Sequence, residues 1–219
     1  MAGMMTRRRA LTGGARLGMG LGVGLGAALI VPRLAWAQLA ATPRQTEGPF
    51  YPTQLPLDAD NDLVAVKGAQ APARGIVTHV SGRILDPSGK PVAGARVEIW
   101  QCDSQGIYLH PRDRDQNRRD AGFQGFGSAQ AQADGGYRFR TIRPVAYAGR
   151  TPHIHFKVLA QNHPALTTQM FVAGEPGNAN DFVYRALGAR APQVTVALQP
   201  APQAEPGALS GNFDIVLEA

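Results

Sequence analysis

This chain of 219 residues has little cysteine, few uninterrupted apolar runs and a small net charge. Cys102 is the single cysteine, so an internal disulfide is excluded and the apolar core must hold the fold together. Its neighbours offer no general base, which favours a small buried residue at a strand end over a nucleophile. The most apolar stretch, Leu17 to Val31, has fifteen glycine-rich residues, whereas a membrane-spanning helix needs roughly 20.

Net charge is small once the N-terminal segment is set apart. The whole chain carries +6, but residues 1–37 hold five arginines and no acid, which leaves about +1 for residues 38–219. Within that part no basic stripe with interleaved aromatic residues occurs in the sequence. A nucleic-acid partner is therefore not expected.

Residues 1–37 are predicted to be a cleaved signal peptide. Arg7 to Arg9 form a basic n-region, Leu17 to Val31 an apolar h-region, and Ala35-Trp36-Ala37 a small-x-small cleavage site. The motif from Thr6 to Leu11 resembles a twin-arginine export signal, although Ala10 stands where such signals usually have Phe, so Sec export stays open. We expect an exported, periplasmic protein with no membrane attachment after processing.

The remaining chain is predicted to be all-β. Alternation of apolar and polar residues, as in Ala95 to Trp100, is typical of strands with one buried face, and turn sequences such as Asp86-Pro87-Ser88-Gly89 separate them. This pattern predicts a single β-sandwich over residues 76–219, preceded by an extended N-terminal arm over residues 38–75. The predicted strands are Ile76–Leu85, Ala95–Gln101, Tyr137–Ile142, His153–Leu159, Gln169–Val172, Gln193–Leu198 and Phe213–Leu217.

A His-x-His pair lies at the start of one predicted strand. Side chains at i and i+2 of a strand point to the same face, so His153 and His155 can bind one metal ion. The pair also fits two structural histidines, a cupin, a multicopper oxidase or a zinc hydrolase. A cupin needs a Glu shortly after the second His, and none follows here. A multicopper oxidase needs more than the five histidines present, and none of the other histidines stands in a zinc motif, which argues against both of these classes.

Tyrosine and arginine precede the pair at close spacing. Arg150 lies three residues before His153, and Tyr147 lies three residues before Arg150. A phenol with a pKa of about 10 becomes a metal ligand only when the ion is a strong enough Lewis acid to deprotonate it. With Tyr108 further upstream, this makes a set of two His and two Tyr. Such a set favours Fe(III), whereas Fe(II) oxygenases use two His and one carboxylate.

Several short motifs in fixed order give the chain a family resemblance, from about Thr46 to Leu217. Taken together, these motifs resemble the intradiol ring-cleavage dioxygenases, which include catechol 1,2-dioxygenases and protocatechuate 3,4-dioxygenase. The motifs are Thr46–Tyr51, Trp100–Asp103, Gly106–Tyr108, Asp134–Pro144, Arg150–Phe156, Gln169–Phe171 and Phe213–Leu217.

The resemblance implies a prealbumin-like β-sandwich with a non-haem Fe(III) centre that cleaves a catechol-type diol with O₂ to a cis,cis-muconate-type diacid. By position, Tyr108 resembles the retained tyrosine ligand and Tyr147 the tyrosine that leaves when substrate binds, while His153 and His155 match the histidine ligands. Arg150 and Gln169 match residues beside the substrate ring. Relatives of the protocatechuate type use two homologous chains, so a homo- or hetero-oligomer is expected.

Two departures and one rival interpretation accompany the resemblance. Only five residues separate Tyr147 from His153, where many relatives have more, so Tyr147 has less freedom to move, and Ala148-Gly149 widens the pocket. The stretch from Gly82 to Ala95 resembles the opening of prealbumin-like sandwiches that only bind or support, which leaves a non-catalytic binding module as the alternative. A hydroxyquinol or a larger lignin-derived diol stays open as the substrate.

Overall fold

Alternating burial along the strands builds two sheets that share one core. The computed structural model describes residues 38–219, so the predicted signal peptide over 1–37 lies outside the described residues. In Val77–Leu85 the side chains of Thr78, Val80 and Ile84 are buried while those between them are more exposed, as expected for a half-buried strand. The strands are β1 Val77–Leu85, β2 Arg96–Trp100, β3 Phe126–Gln130, β4 Gly136–Ile142, β5 His153–Leu159, β6 Leu166–Val172, β7 Thr195–Val196, β8 Gln199–Pro200, β9 Leu209–Asn212 and β10 Ile215–Val216.

The two sheets confirm the predicted β-sandwich. In the first, β1 pairs antiparallel with β4 along one edge and parallel with β9 and β10 along the other, and β8 extends it beyond β9. The second has the order β3-β2-β5-β6-β7. Side chains from both sheets, such as Val80, Phe139, Ile99 and Phe156, meet in one buried cluster.

Helical structure is short. The α-helix α1 covers Phe182–Ala186, and 3₁₀ turns cover Gln116–Arg118, Pro176–Ala179 and Gly188–Val194. The last turn shortens the strand predicted over Gln193–Leu198 to Thr195–Val196. Between residues 38 and 219 no helix has the length and apolarity to cross a bilayer.

The arm over residues 38–75 lies along both sheets without forming a strand of its own. Thr42 exchanges hydrogen bonds with Val216, and the Gln45 N–H donates to the Thr167 carbonyl. Further on, Leu63 is fully buried in the sandwich core. The arm therefore contributes to the core as well as covering the sheets.

An ion-pair cluster fixes the arm to β4. Arg140 donates from Nη1 to both carboxylate oxygens of Asp62 at 3.0 and 3.1 Å, and from Nε and Nη2 to Glu205 at 3.1 to 3.3 Å. Bidentate arginine–carboxylate geometry restricts all three side chains. One guanidinium thus joins the arm, β4 and the C-terminal loop.

Candidate metal centre

The histidine pair lies at the centre of the second sheet, on the face opposite the core. His153 and His155 are each about 1% exposed, and their Nε2 atoms are 3.2 Å apart. Ile154, between them, points into the core. Two nitrogens that each lie about 2.1 Å from one metal ion at roughly right angles are about 3 Å apart, so the spacing of the pair fits two ligands of a single ion.

The tautomer of His153 is set by its backbone partner. Its Nδ1 lies 2.6 Å from the carbonyl oxygen of Thr151, which makes Nδ1–H the donor and leaves the Nε2 lone pair free for a metal. Burial, followed by the nearby charge of Arg150, lowers the pKa of His153 to about 4. Burial and then the neighbouring His153 lower the pKa of His155 well below its usual value. Both imidazoles are therefore neutral at pH 7, as metal binding requires.

His155 is oriented by aromatic stacking. Its ring is parallel to that of Trp100, with centroids 4.8 Å apart and an interplanar angle of 11°. Trp100, His155 and Gln169 lie opposite one another on β2, β5 and β6, so all three share one face of the sheet. Nothing in the described part of the chain forms a hydrogen bond with Nδ1 of His155. The indole face thus performs the orienting role that a hydrogen bond usually has at a metal-bound histidine.

Tyr108 reaches the pair from the loop after β2. This loop is shaped by Asp103, whose side chain accepts from the N–H groups of Gln105 and Ile107, and by Gly106 with φ +81°. The Tyr108 ring centroid is 6.2 Å from that of His155.

The hydroxyl of Tyr108 is a buried polar group without a partner. The residue is 2% exposed, and within residues 38–219 its oxygen makes no hydrogen bond; the Tyr147 phenol is near enough to affect its pKa but lacks hydrogen-bond geometry. Burial, then the neighbouring Tyr147, raises the pKa of Tyr108 well above 10. An unpaired buried hydroxyl is unfavourable, and a metal ion at the histidine pair would satisfy it.

Tyr147 stands at the first position of a tight hairpin. Tyr147 and Arg150 exchange backbone hydrogen bonds of 3.3 and 2.7 Å, and Ala148 and Gly149 between them have φ of +45° and +79°. Two central residues with positive φ are typical of a type I′ turn. The Tyr147 ring is half-buried, 5.5 Å from the His153 ring and 4.9 Å from the Tyr108 ring. Burial is the main cause that raises the pKa of Tyr147.

The hairpin conformation predicts opposite effects of two substitutions. Ala148→Asn is expected to raise the free energy of unfolding by about 0.5–1 kcal/mol, because Asn tolerates positive φ better than Ala. Gly149→Ala, with no atom within 4 Å of the added Cβ, is expected to lower it by about 1 kcal/mol through backbone strain alone. Urea unfolding of both variants checks this; equal changes of the same sign would contradict it.

Arg150 and Gln169 are brought together beside the ligands. The Arg150 Nη2 donates to the Gln169 side-chain oxygen at 2.7 Å, and the Gln169 amide donates to the Thr46 carbonyl of the arm at 3.0 Å. The Arg150 Nε donates to Asp181 at 2.6 Å. All six site residues predicted from sequence therefore lie in one neighbourhood. They are Tyr108, Tyr147, Arg150, His153, His155 and Gln169.

The arm closes the site with aromatic side chains. Phe50 stacks on Tyr108 at 4.5 Å and 18°, and meets Tyr147 edge-on at 6.1 Å. Gly48 has φ +73°, and a Cβ there would lie 3.4 Å from the His155 ring. This cover separates the imidazoles from solvent, which strengthens electrostatic interactions in the site.

Four further residues that could be candidates on type alone have structural roles. Tyr51 donates to the buried Glu98 at 2.8 Å, and Tyr137 donates to the Phe213 carbonyl. His110 is buried against Phe50, and its Nδ1 accepts from the Arg112 N–H. Cys102 is buried just beyond β2, and burial together with Asp103 raises the pKa of its thiol to about 12, so it is not a nucleophile at neutral pH.

Sequence reasoning did not single out Phe50, Trp100, Thr151 or Asp181 individually. The first three lie inside the family motifs, and their strand or loop positions next to candidate ligands were the available signal. Asp181 carried no such signal, because it follows the 3₁₀ turn Pro176–Ala179 far from the other site residues in sequence.

Carboxylates are absent from the candidate ligand set. Among the residues that the structure describes, no group of three or more His, Cys, Asp or Glu side chains is placed to hold a metal ion. Two imidazoles and two phenols are the candidate donors instead. Phenolate oxygen is a hard donor, which suits a trivalent cation better than a soft one.

Sequence comparison places the chain among dioxygenases. A family described as "Dioxygenase" matches residues 46–219. The protocatechuate 3,4-dioxygenase beta chain of Burkholderia cepacia is 37% identical over 171 residues, which cover 74% of this chain and 72% of that protein. Catechol 1,2-dioxygenase 1 of Acinetobacter lwoffii is 33% identical over 172 residues, covering 70% of this chain and 53% of that one. The chain thus spans about half the length of that catechol 1,2-dioxygenase.

Solved structures agree with the sequence comparison. The dioxygenase domain of a dioxygenase–carbohydrate-binding protein fusion from Streptomyces sp. SirexAA-E superposes with a TM-score of 0.64 at 32% identity, covering 82% of this chain and 99% of that one. Catechol 1,2-dioxygenase from Acinetobacter sp. ADP1 gives a TM-score of 0.64 at 29% identity, covering 81% and 63%. The match over residues 46–219 and these relatives show that the chain belongs to the intradiol ring-cleavage dioxygenase family of enzymes.

Proposed function

We propose that the protein uses non-haem Fe(III) to cleave a catechol-type aromatic diol between its two hydroxylated carbons, inserting both atoms of O₂ to give a cis,cis-muconate-type diacid. The observation that carries this proposal is the convergence of the Tyr108 and Tyr147 phenols on the His153–His155 pair. Family membership supports the reaction class. The alternative of a non-catalytic binding module is disfavoured, because such a module has no use for these four groups beside a largely enclosed arginine.

The residues fit a ferric ion. The Tyr108 hydroxyl is buried without a partner among residues 38–219, and the two Nε2 atoms, 3.2 Å apart, are spaced as ligands of one ion. Tyr108, Tyr147, His153 and His155 would hold it. When bound, Fe(III) supplies Lewis acidity and a template for both diol oxygens, and lowers the pKa of the phenols that ligate it.

The protein side chains manage protons and charge around the diol. Tyr108, fully enclosed and stacked by Phe50, is proposed to remain a ligand. Tyr147 is less buried, so it is the tyrosine that would give up the metal, and its phenolate oxygen would then be available to accept a proton from the diol. Arg150, fixed by Gln169, is proposed to stabilise negative charge that develops on the substrate.

The visible spectrum of the purified protein, with and without catechol, tests the proposal most directly. Protein exported with its native N-terminal segment is expected to contain iron, to show phenolate-to-iron absorption, and to change that absorption when catechol is added. One O₂ should be consumed per diol, and when the reaction is run with ¹⁸O₂ both labelled atoms should appear in the acyclic diacid. His163→Gln, which changes a histidine whose ring Nδ1 lies 2.8 Å from the Glu218 carbonyl oxygen, is the matched control and should retain iron. A colourless, iron-free protein, or ring opening beside the diol, would contradict the proposal.

The preferred diol is addressed by a substrate panel. The relatives are named for protocatechuate, catechol and hydroxyquinol, and their names extend to this chain only as candidates. Comparing kcat/KM for catechol, hydroxyquinol and a larger lignin-derived diol ranks these classes. We propose a homo- or hetero-oligomeric assembly for the active protein, which light scattering of the purified protein would test.

Export to the periplasm, by the twin-arginine route, is also proposed. It rests on the sequence of residues 1–37 alone. Fractionation of cells that express the full chain should place the shortened protein in the periplasm, and Arg7→Lys with Arg8→Lys should retain it in the cytoplasm. Export that is unaffected by this double substitution would assign the Sec route instead.

A further inference from the structure

Asp181 is a buried carboxylate at the junction of the substrate-side arginine and a ligand histidine. Its side chain is 0% exposed. One carboxylate oxygen accepts from the Arg150 Nε at 2.6 Å and from the Thr151 N–H at 3.0 Å. The other accepts from the N–H groups of Val183 and Tyr184 at 2.9 Å each, which caps α1. A carboxylate with this number of donors is ionised at neutral pH.

Arg150 is held on three sides. Asp181 fixes its Nε, Gln169 fixes its Nη2 at 2.7 Å, and the Phe182 ring centroid lies 5.3 Å from the guanidinium carbon. Within residues 38–219, Nη1 is the guanidinium nitrogen that makes no hydrogen bond. The arginine side chain is only 11% exposed, so its orientation is set by these contacts rather than by solvent.

Arg150 is also the cation whose charge reaches the candidate ligands. It acts to lower the pKa of both phenols, Tyr108 and Tyr147, and of both imidazoles, His153 and His155. The carboxylate of Asp181, bonded directly to this guanidinium, offsets most of that charge at short range. A substrate carboxylate entering the site therefore meets an arginine that is already paired.

The same carboxylate shapes the backbone that orients His153. Thr151 donates its N–H to Asp181 and accepts the Nδ1–H of His153 at its own carbonyl. The Thr151 hydroxyl is in turn bonded to the Asn178 side chain at 2.8 Å. One short segment from Arg150 to His153 is thus anchored to the turn that precedes α1.

We propose that Asp181 is a positioning and specificity-determining residue: it fixes the orientation of Arg150 and neutralises its charge, so that the site favours catechols without a carboxylate over carboxylated ones. This inference rests on the proposed function and names the substrate class of the same site. A catechol carries no charge outside its diol. It can therefore be assisted by a guanidinium that is fixed in orientation, even when Asp181 neutralises the charge of that guanidinium. A 3,4-dihydroxybenzoate brings an anionic group that the paired Arg150 attracts only weakly.

The test compares catechol with 3,4-dihydroxybenzoate in two charge-changing variants of the full chain. Asp181→Asn keeps an oxygen to cap α1 but removes the charge, and is expected to lower kcat/KM for catechol about ten-fold while raising the benzoate-to-catechol ratio about ten-fold. Arg150→Gln leaves Asp181 uncompensated and is expected to lower the same ratio. Anaerobic titration of each diol, followed by the visible absorption, should give binding ratios that move in these same opposite directions.

Controls separate positioning from stability. Ala186→Gly weakens α1 without touching the carboxylate, and is expected to lower the melting temperature while leaving the substrate ratio unchanged. In the Arg150→Gln background, Asp181→Asn should no longer raise the ratio above that of the parent protein. Should Asp181→Asn fail to fold, Asp181→Glu takes its place, because it keeps the charge but displaces the carboxylate from the Arg150 Nε. An unchanged benzoate-to-catechol ratio in that variant would equally overturn the inference.

An unchanged ratio in soluble Asp181→Asn, or an equal shift in Ala186→Gly, would overturn this inference while leaving the proposed reaction intact. If the parent protein neither binds iron nor cleaves any catechol, the proposed function itself has failed. The two failures are therefore distinguished by the parent protein alone.

Discussion

Tyr108→Phe is expected to abolish iron binding without lowering the free energy of unfolding of the iron-free protein. Tyr108 is 2% exposed, and its hydroxyl has no hydrogen-bond partner among residues 38–219. Removing an unpaired buried hydroxyl is neutral or stabilising, so the iron-free variant should be at least as stable as the iron-free parent, by up to roughly 1 kcal/mol. Iron affinity should fall at least about 100-fold. Loss of a ligand should cost more than loss of a residue that hydrogen-bonds to a ligand, which typically costs about 10- to 100-fold in affinity. Ring cleavage should fall by a factor of about 1000 or more.

Tyr137→Phe is the matched control for this prediction. Tyr137 is equally buried, but its hydroxyl donates to the Phe213 carbonyl. Its removal is expected to destabilise the protein by about 1 kcal/mol and to leave iron content unchanged. Iron analysis, the visible spectrum and urea unfolding of chelator-treated protein measure all these quantities. Iron content and phenolate-to-iron absorption that are both unchanged from the parent in Tyr108→Phe would remove Tyr108 from the ligand set.

Acid is expected to destabilise the iron-free protein well before its carboxylates titrate. Burial, then Arg150, lowers the pKa of His153 from 6.5 to about 4, and burial, then His153, lowers the pKa of His155 well below 6.5. The unfolded state therefore binds more protons than the folded state between pH 6.5 and 4, so stability is full above pH 6.5 and is lost as pH falls toward 4. His153 alone contributes about 3 kcal/mol to this loss.

Two other titratable groups, His110 and Asp181, affect the pH dependence of stability in ways that can be distinguished from the histidine pair. Burial and then Arg112 lower the pKa of His110, which adds to the loss in the same direction. Burial raises the pKa of Asp181, but hydrogen bonds from Arg150 and from the Tyr184 N–H outweigh it and lower the pKa below 3.8, so this carboxylate acts only at lower pH.

Urea unfolding of chelator-treated protein at pH 7, 5.5 and 4.5 measures the predicted slope. His153→Gln should flatten it, whereas His163→Gln, at the protein surface, should leave it unchanged. A slope that His153→Gln does not alter would show that the pair is not buried neutral in the iron-free protein.

Local sequence patterns predicted the strands that build the sandwich. Alternation is a property of neighbouring residues, so β1, β2, β4 and β5 begin and end within one residue of the predicted bounds. β3 was not predicted, because Phe126–Gln130 contains glycine and serine and little alternation. Gly127 is there because the arm crosses it: an added Cβ would lie 2.5 Å from Leu63 and 2.6 Å from the Asp60 carbonyl. That contact is long-range and leaves no local pattern.

The candidate site shows the same division between what local sequence predicts and what long-range contacts decide. The period of two in a strand was enough to place His153 and His155 on one face, and family resemblance added Tyr108, Tyr147, Arg150 and Gln169 by position. Proximity in space follows from strand pairing, which sets Gln169 opposite His155 on β6. The ligand roles of these residues stay predictions until iron is measured.

The sequence by itself determined the sandwich, the family and the six candidate site residues, because strand alternation and ordered motifs are written in neighbouring residues. Only the tertiary structure decided what holds those residues in place. Trp100 stacks on His155, Phe50 covers Tyr108, and Asp181 holds Arg150 across 31 residues of chain. These contacts join segments distant in sequence, and the physical reason they were hidden is that stacking and buried ion pairing depend on how strands and loops meet, which no local spacing encodes.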